Sequence, residues 1–238
     1  MLSVQPRIRL RSLPRDDQTE SMKTLVQCDF DGTITEEDVS FFLLDAHAQG
    51  DWRRLLREYK ERKISVWDLN TLAFAMVNVD KSVLLETLKD RVKVRAGFHE
   101  LVDYCRRKGF RFVIVSNGLE FYIRAILSDL GLENIEVRSA QACFRPEGGI
   151  DIRYVGPDGT MLKDGFKEAY VRLFLEQGYR VIYMGNGDSD LAPARHAHHV
   201  FATGELLRVC REKNLNCQPL ENFADAIRGM EAISQVQV

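Results

Sequence analysis

The chain has 238 residues, enough for one core and a smaller insert. Hydrophobic and charged fractions of 45% and 29% are those of an ordinary globular protein, and a net charge of −2 gives no bulk attraction to nucleic acid or anionic membrane. No apolar run is long enough to cross a bilayer, and five scattered cysteines (Cys28, Cys105, Cys143, Cys210, Cys217) without a Cys-x-x-Cys pair predict neither a zinc site nor a disulfide framework. A reducing cytoplasm is the expected setting.

Residues 1–21 place Arg7, Arg9, Arg11 and Arg15 among Pro6, Pro14 and polar residues, without periodicity, and are expected to form a mobile tail. An organelle transit peptide is the alternative, although the two prolines oppose an amphipathic helix. The apolar run at 22–28 suits a buried strand. Asp29-Phe30-Asp31-Gly32-Thr33-Ile34-Thr35 follows at its end. Residues 38–93 show apolar spacings of three and four throughout, with charges between, and predict a helical insert. Asp51 and Asp80 stand where helix N-caps would.

Alternation begins after the insert. Helices are predicted over 97–108, 121–130, 166–177, 191–196 and 205–213. Strands are predicted over 110–115, 135–137, 180–184 and 199–202, with a hairpin of short strands in the Gly- and Pro-rich segment 141–160. Strands alternating with helices give an α/β fold: a Rossmann-like core with a parallel sheet and helices on both faces, plus an all-helical cap. The division expected is a core of 22–37 and 95–238 with a cap of 38–94.

The chemistry gathers at strand ends. Asp29 and Asp31, two apart on extended chain, point to the same side, and such carboxylates repel unless a cation or a proton relieves them. The pair therefore calls for Mg²⁺, for acid–base work, or for both. Ser116-Asn117-Gly118 ends the second strand, Gly185-Asn186-Gly187-Asp188-Ser189-Asp190 ends a later one, and Lys163 or Lys167 precedes the latter. In a parallel sheet these ends share one edge, where ligands bind. His196, His198 and His199 lie beyond the last cluster and are read as structural. Arg53, Arg54 and Arg57 are read as a solvated helix face.

Acid pair, serine, lysine and acid cluster, in that order, resemble the haloacid dehalogenase superfamily from Met22 onward. The helical insert is similar to the cap of its phosphoserine-phosphatase-like branch. Asp38 and the stretch Cys210-Arg211-Glu212-Lys213-Asn214-Leu215-Asn216 resemble the 2-hydroxy-3-keto-5-methylthiopentenyl-1-phosphate phosphatases of methionine salvage. The resemblance implies a phosphatase acting on a small phosphorylated metabolite. In it, Asp29 is the nucleophile that forms an aspartyl-phosphate and Asp31 is the acid–base group. Ser116, Asn117, Gly118 and Lys167 bind phosphate, with Lys163 as the second candidate lysine. Asp38 contacts the substrate from the cap, or simply caps a helix. Asp29, Asp31, Asn186 and Asp190 hold Mg²⁺.

The last motif departs from the family, which commonly has an acid where Asn186 stands. Weaker metal binding, compensation by Asp188 and Asp190, or an impaired site would each follow. Phosphoserine, phosphoethanolamine or phosphocholine are alternative substrates. Phosphotransfer or mutase chemistry, and a non-catalytic phosphate-binding role, are alternative functions. No nucleic-acid or membrane partner is expected, and oligomeric state is not legible from these residues.

Overall fold

The computed structural model describes residues 23–235, so the expected tail at 1–21 lies outside the described residues. Strand β1 (Thr24–Cys28) opens the sheet. Four helices follow with no strand between them: α1 (Val39–His47), α2 (Trp52–Lys60), α3 (Val66–Phe74) and α4 (Lys81–Leu88). An isolated bridge pairs Thr35 with Val94, so the chain leaves for these helices and returns from them at adjacent points. Asp38 and Asp51 cap α1 and α2 by accepting from the Phe41 and Arg54 amides, whereas Asp80 stands at its cap position without such a bond. Arg53, Arg54 and Arg57 pair with Asp45, Glu58 and Asp51 on the exposed surface.

The rest alternates: α5 (Phe98–Lys108), β2 (Arg111–Leu119), α6 (Glu120–Asp129), β3 (Glu136–Phe144), β4 (Ile150–Arg153), α7 (Phe166–Glu176) and β5 (Arg180–Gly185). A 3₁₀ turn (Asp188–Asp190), α8 (Leu191–Ala194), β6 (His199–Ala202), α9 (Gly204–Glu212), β7 (Cys217–Pro219) and α10 (Phe223–Gln235) complete it.

The seven strands run in the order β4-β3-β2-β1-β5-β6-β7, and only the β3–β4 pair is antiparallel. β1 is central because its apolar run is buried on both faces. Leu25, Val26 and Cys28 are fully enclosed, as are Val113–Val115 of β2 and Tyr183 and Met184 of β5. The chain steps from β1 through β2 to β3, then crosses to β5 on the other side of β1. That reversal opens a crevice at the carboxyl ends of β1 and β5.

Four details differ from expectation. β3 is nine residues long rather than three, because only Val137 and Ala140 of it are buried and its exposed polar residues read as loop. The short helix α8 ends at Ala194 rather than at residue 196. β7 and α10 lie beyond any predicted element; α10 docks on α5, with Phe223 stacked on Phe98 at 5.6 Å between ring centroids. Finally, Cys210 and Cys217 form a disulfide. Helix α9 and strand β7 are joined by a tight return that brings their Cα atoms to 6.1 Å, within bonding range. A seven-residue spacing carries no recognisable pairing signal in the sequence. Cys28, Cys105 and Cys143 are free thiols.

Candidate active site

Asp29 leaves β1 with its amide bonded to the Met184 carbonyl of β5, at 2.9 Å, so both central strands fix its backbone. Its Oδ2 meets Lys167 Nζ at 2.8 Å, while its Oδ1 is buried and has no hydrogen-bond partner. Burial pushes the Asp29 carboxyl up to about 7, against the pull of the Lys167 ammonium.

Lys167 lies in the first turn of α7 and is 2% exposed. It also donates to Asp190 Oδ1 at 2.7 Å and to Ser189 Oγ at 3.3 Å. Burial alone would lower its pKa, but Asp190 and Asp29 together raise it, so the ammonium stays charged. Lys163 instead sits over the Trp67 ring, 5.0 Å from its centroid, and does not enter the acid cluster.

Asp190 is fully buried and accepts four hydrogen bonds. Lys167 and the Tyr183 hydroxyl (2.6 Å) reach Oδ1; the Asn186 and Gly187 amides (2.9 and 2.8 Å) reach Oδ2. Burial would raise this carboxyl, yet Lys167 and these donors hold it below the usual carboxylate range. With both oxygens engaged by protein, Asp190 is built to fold the 185–190 loop and hold the lysine.

Asp31 accepts from the Val39 amide at Oδ1 (3.0 Å) and from the Tyr122 hydroxyl at Oδ2 (2.6 Å). Burial and the neighbouring charge of Asp38 raise its carboxyl well above the ordinary value. Asp38 caps α1 and also lines the same cleft; burial lifts its carboxyl to about 6. The cap expected of Asp38 is therefore present, and its place in the cleft leaves it within the same space as the acid pair.

Ser116 is 1% exposed, and its Oγ accepts from the Gly118 amide at 3.1 Å, so that amide is already used. β2 does not stop at Ser116: it continues to Leu119, with a break in its register against β3 between Ser116 and Leu119. Such a bulge re-aims side chains at a sheet rim. The Asn117 carbonyl accepts from Asn70 of α3 (3.1 Å) and from Tyr154 (2.9 Å), which ties the helical insert to the rim.

Two glycines are required here. Gly32 has φ +71°, and a Cβ on it would lie 2.1 Å from Asn186 Nδ2; a Cβ on Gly118 would lie 2.1 Å from Asp31 Oδ2. Arg95 donates to the carbonyls of Gly32 and Thr33 at 3.0 and 2.8 Å, bracing the loop that carries Asp31.

Asp29, Asp31, Asp38, Ser116, Asn117, Gly118, Lys167 and Asn186 all line one cleft of about 390 Å³. Phe41, Leu56 and Leu69 of the insert face them. Sequence reasoning missed Tyr122, Tyr183, Asn70 and Arg95. No spacing rule marks them, because each meets the site through the fold.

Mg²⁺ fits the oxygen donors in this cleft. Asp29 Oδ1 is an orphaned buried acceptor, and the Asn186 amide oxygen, which accepts from Thr33 Oγ1 at 3.2 Å, lies beside the same loop. Among the described residues no cluster of three His, Cys, Asp or Glu side chains is set for a metal. Few protein ligands suffice for an ion that keeps several waters. His196 and His199 contact Glu168 and Arg180 instead, and His198 accepts from the Val181 amide.

Residues 26–195 match the haloacid dehalogenase-like hydrolases. The chain belongs to that family. A 2-hydroxy-3-keto-5-methylthiopentenyl-1-phosphate phosphatase of Geobacillus kaustophilus (strain HTA426) is 30% identical over 217 residues, which cover 88% of this chain and 96% of that protein. Pdp3-interacting factor 1 of Schizosaccharomyces pombe (strain 972 / ATCC 24843) is 28% identical over 218 residues, covering 86% and 93%. A substrate-bound phosphoserine phosphatase shares the fold with a TM-score of 0.68 at 16% identity, over 88% of this chain and 99% of that one.

Three carboxyls with raised pKa values, the buried Asp29 and Asp31 and the half-buried Asp38, bind protons more readily in the folded state than in the unfolded chain. Their contribution to stability is complete at low pH and is lost as pH rises through the folded values. The lowered rings of His198 and His199 act in the opposite sense, but they are less buried. In EDTA, the thermal midpoint is expected to fall between about pH 5 and about pH 8, and Mg²⁺ to restore more at the upper end. Melting curves with and without Mg²⁺ check this; a midpoint that rises over that range contradicts it.

Proposed function

We propose that this chain is a Mg²⁺-dependent phosphomonoester hydrolase working through an aspartyl-phosphate at Asp29. The observation that carries the reading is the division of the Asp29 carboxylate. Lys167 holds one oxygen, and the other is buried and unpartnered in a cleft shared with Ser116 and Asp31. Family membership and relatives named as phosphatases support it.

In this reading Asp29 attacks phosphorus while Asp31 gives a proton to the leaving oxygen; Asp31 then takes one from the water that releases phosphate. Ser116 Oγ and Lys167 bind phosphate oxygens. Mg²⁺, when held by Asp29 and Asn186, supplies charge neutralisation at the phosphate. We place Asp190 behind this set, as the brace of Lys167 and of the 185–190 loop rather than as a ligand. Asn186 costs the metal one negative neighbour but keeps an oxygen donor, which favours weaker binding over an inert site.

Phe41, Leu56, Val66 and Leu69 give the cleft an apolar part, and Lys60 and Asp188 in the same lining pair with each other at 2.8 Å. The apolar part favours a substrate with a neutral, apolar tail, as 2-hydroxy-3-keto-5-methylthiopentenyl-1-phosphate has, over phosphoserine, phosphoethanolamine or phosphocholine. No observation favours phosphotransfer or a mutase. No helix among the described residues is long and apolar enough to cross a membrane, and a cytoplasmic setting stays part of the proposal.

With Mg²⁺, the wild type is expected to release phosphate from p-nitrophenyl phosphate and from methylthio-sugar phosphates, and Asp29→Asn to lose at least about 10³-fold in kcat. A phosphate-release assay decides it; retained turnover removes Asp29 from the nucleophile role, and a silent wild type favours the non-catalytic alternative. Asn186→Asp is expected to tighten Mg²⁺ binding about tenfold by adding a carboxylate to the donor set. Calorimetric Mg²⁺ titration measures this, and an unchanged affinity places residue 186 outside the metal shell.

A further inference from the structure

Tyr122 stands in the first turn of α6, fully buried, and its hydroxyl donates to Asp31 Oδ2 at 2.6 Å. The same hydroxyl lies 2.7 Å from Ser40 Oγ. Because Tyr122 commits its only proton to a carboxylate, the Ser40 hydroxyl is the donor in that second bond. Ser40 is the second residue of α1, next to Val39, whose amide holds the other oxygen of Asp31. Both oxygens of Asp31 are therefore pinned, one directly by the helical insert and one through Tyr122. The line from Asp31 to Tyr122 passes where residue 118 has no side chain: a Cβ there would lie 2.1 Å from Asp31 Oδ2 and 2.2 Å from the Tyr122 hydroxyl.

A buried tyrosine needs a partner for its hydroxyl, and many would serve. Here the partner is the acid that moves a proton, and the chain of bonds continues to the edge of the cleft, where Ser40 is a lining residue. A carboxyl free to turn about its Cβ–Cγ bond offers its proton in the right direction only part of the time. One gripped at both oxygens keeps its plane.

We propose that Tyr122 is a positioning residue for Asp31, with Ser40 as its outer partner, so that the seating of α1 over the sheet aims the acid–base group. The proposal rests on the phosphatase reading above. In the step concerned, a bond forms between an Asp29 oxygen and phosphorus and the bond from phosphorus to the leaving oxygen breaks. The Asp31 proton passes to that leaving oxygen, and Tyr122 keeps its own proton throughout.

The test is the dependence of kcat/KM, which reports the step that loses the leaving group, across aryl phosphates graded from p-nitrophenyl to phenyl phosphate. A nitrophenolate leaves with little help from a proton, whereas phenolate needs more. For Tyr122→Phe we expect kcat/KM to fall about tenfold on phenyl phosphate but only about twofold on p-nitrophenyl phosphate, steepening the dependence. Ser40→Ala should change it in the same direction by less. Thermal melts confirm that each variant is folded, and if Tyr122→Phe is not, the slope for Ser40→Ala decides. An equal loss on every substrate, or an unchanged slope in a folded variant, overturns the proposal and leaves the phosphatase reading standing. A wild type that hydrolyses none of the series overturns both.

Discussion

Everything at the mouth of this sheet depends on one buried cation. The Lys167 ammonium sits between Asp29 at 2.8 Å and Asp190 at 2.7 Å, with almost no access to water. Burying three charges is costly, and it is tolerable only where each is paired and hydrogen-bonded. Here the pairing joins β1, the start of α7 and the loop after β5. Gln27 of β1 adds a bond from its side-chain amide to the Lys167 carbonyl at 3.0 Å, which fixes the lysine backbone as well. Removing one partner from such a set costs about 3–5 kcal/mol, because the charge left behind has no solvent to turn to. The site is therefore an electrostatic unit before it is a catalytic one.

That unit explains why the two acids of the opening motif behave differently. Asp29 faces the lysine and keeps one oxygen bare. Asp31, two residues on at the start of the turn, has no ion pair among the described residues; its partners are the Val39 amide and a tyrosine hydroxyl. The first environment suits an ionised nucleophile and the second suits a group that carries a proton. The turn that follows Asp31 needs glycine at 32, where a Cβ would meet the Asn186 side chain, and is braced by Arg95 through the carbonyls of residues 32 and 33. The helical insert supplies the remaining wall: apolar at Phe41, Leu56 and Leu69, polar at Ser40 and Asn70.

Much of this was legible in the sequence, for physical reasons that differ by element. β1, β2 and β5 are buried on both faces and announce themselves as unbroken apolar runs ending in polar residues. The acid pair, Ser116 and the lysine follow from those strand ends, since a parallel sheet brings them to one edge. β3 shows only its first residues as a strand in the sequence, because a margin strand with two buried residues looks mostly polar. β7 and α10 follow a stretch without a clear period. At Asp190 the sequence shows a carboxylate suited to a metal but not the four donors that surround it in the fold. Tyr122 and Tyr183 gave no signal at all, since a tyrosine in an apolar run reads as core, and only the fold turns its hydroxyl toward an acid. The bond between Cys210 and Cys217 was missed for the same reason: the return that brings the two together is a tertiary fact.

One event decides the reading: transfer of the phosphoryl group to the Asp29 carboxylate. Acid quench of the protein during turnover of p-nitrophenyl phosphate, followed by borohydride reduction and peptide mass analysis, tests this directly, because borohydride reduces an acyl-phosphate to an alcohol and leaves a free carboxylate untouched. The prediction is reduction at Asp29, dependent on substrate and absent from Asp31. Reduction at another carboxylate, or none at any position while phosphate is being released, would contradict it.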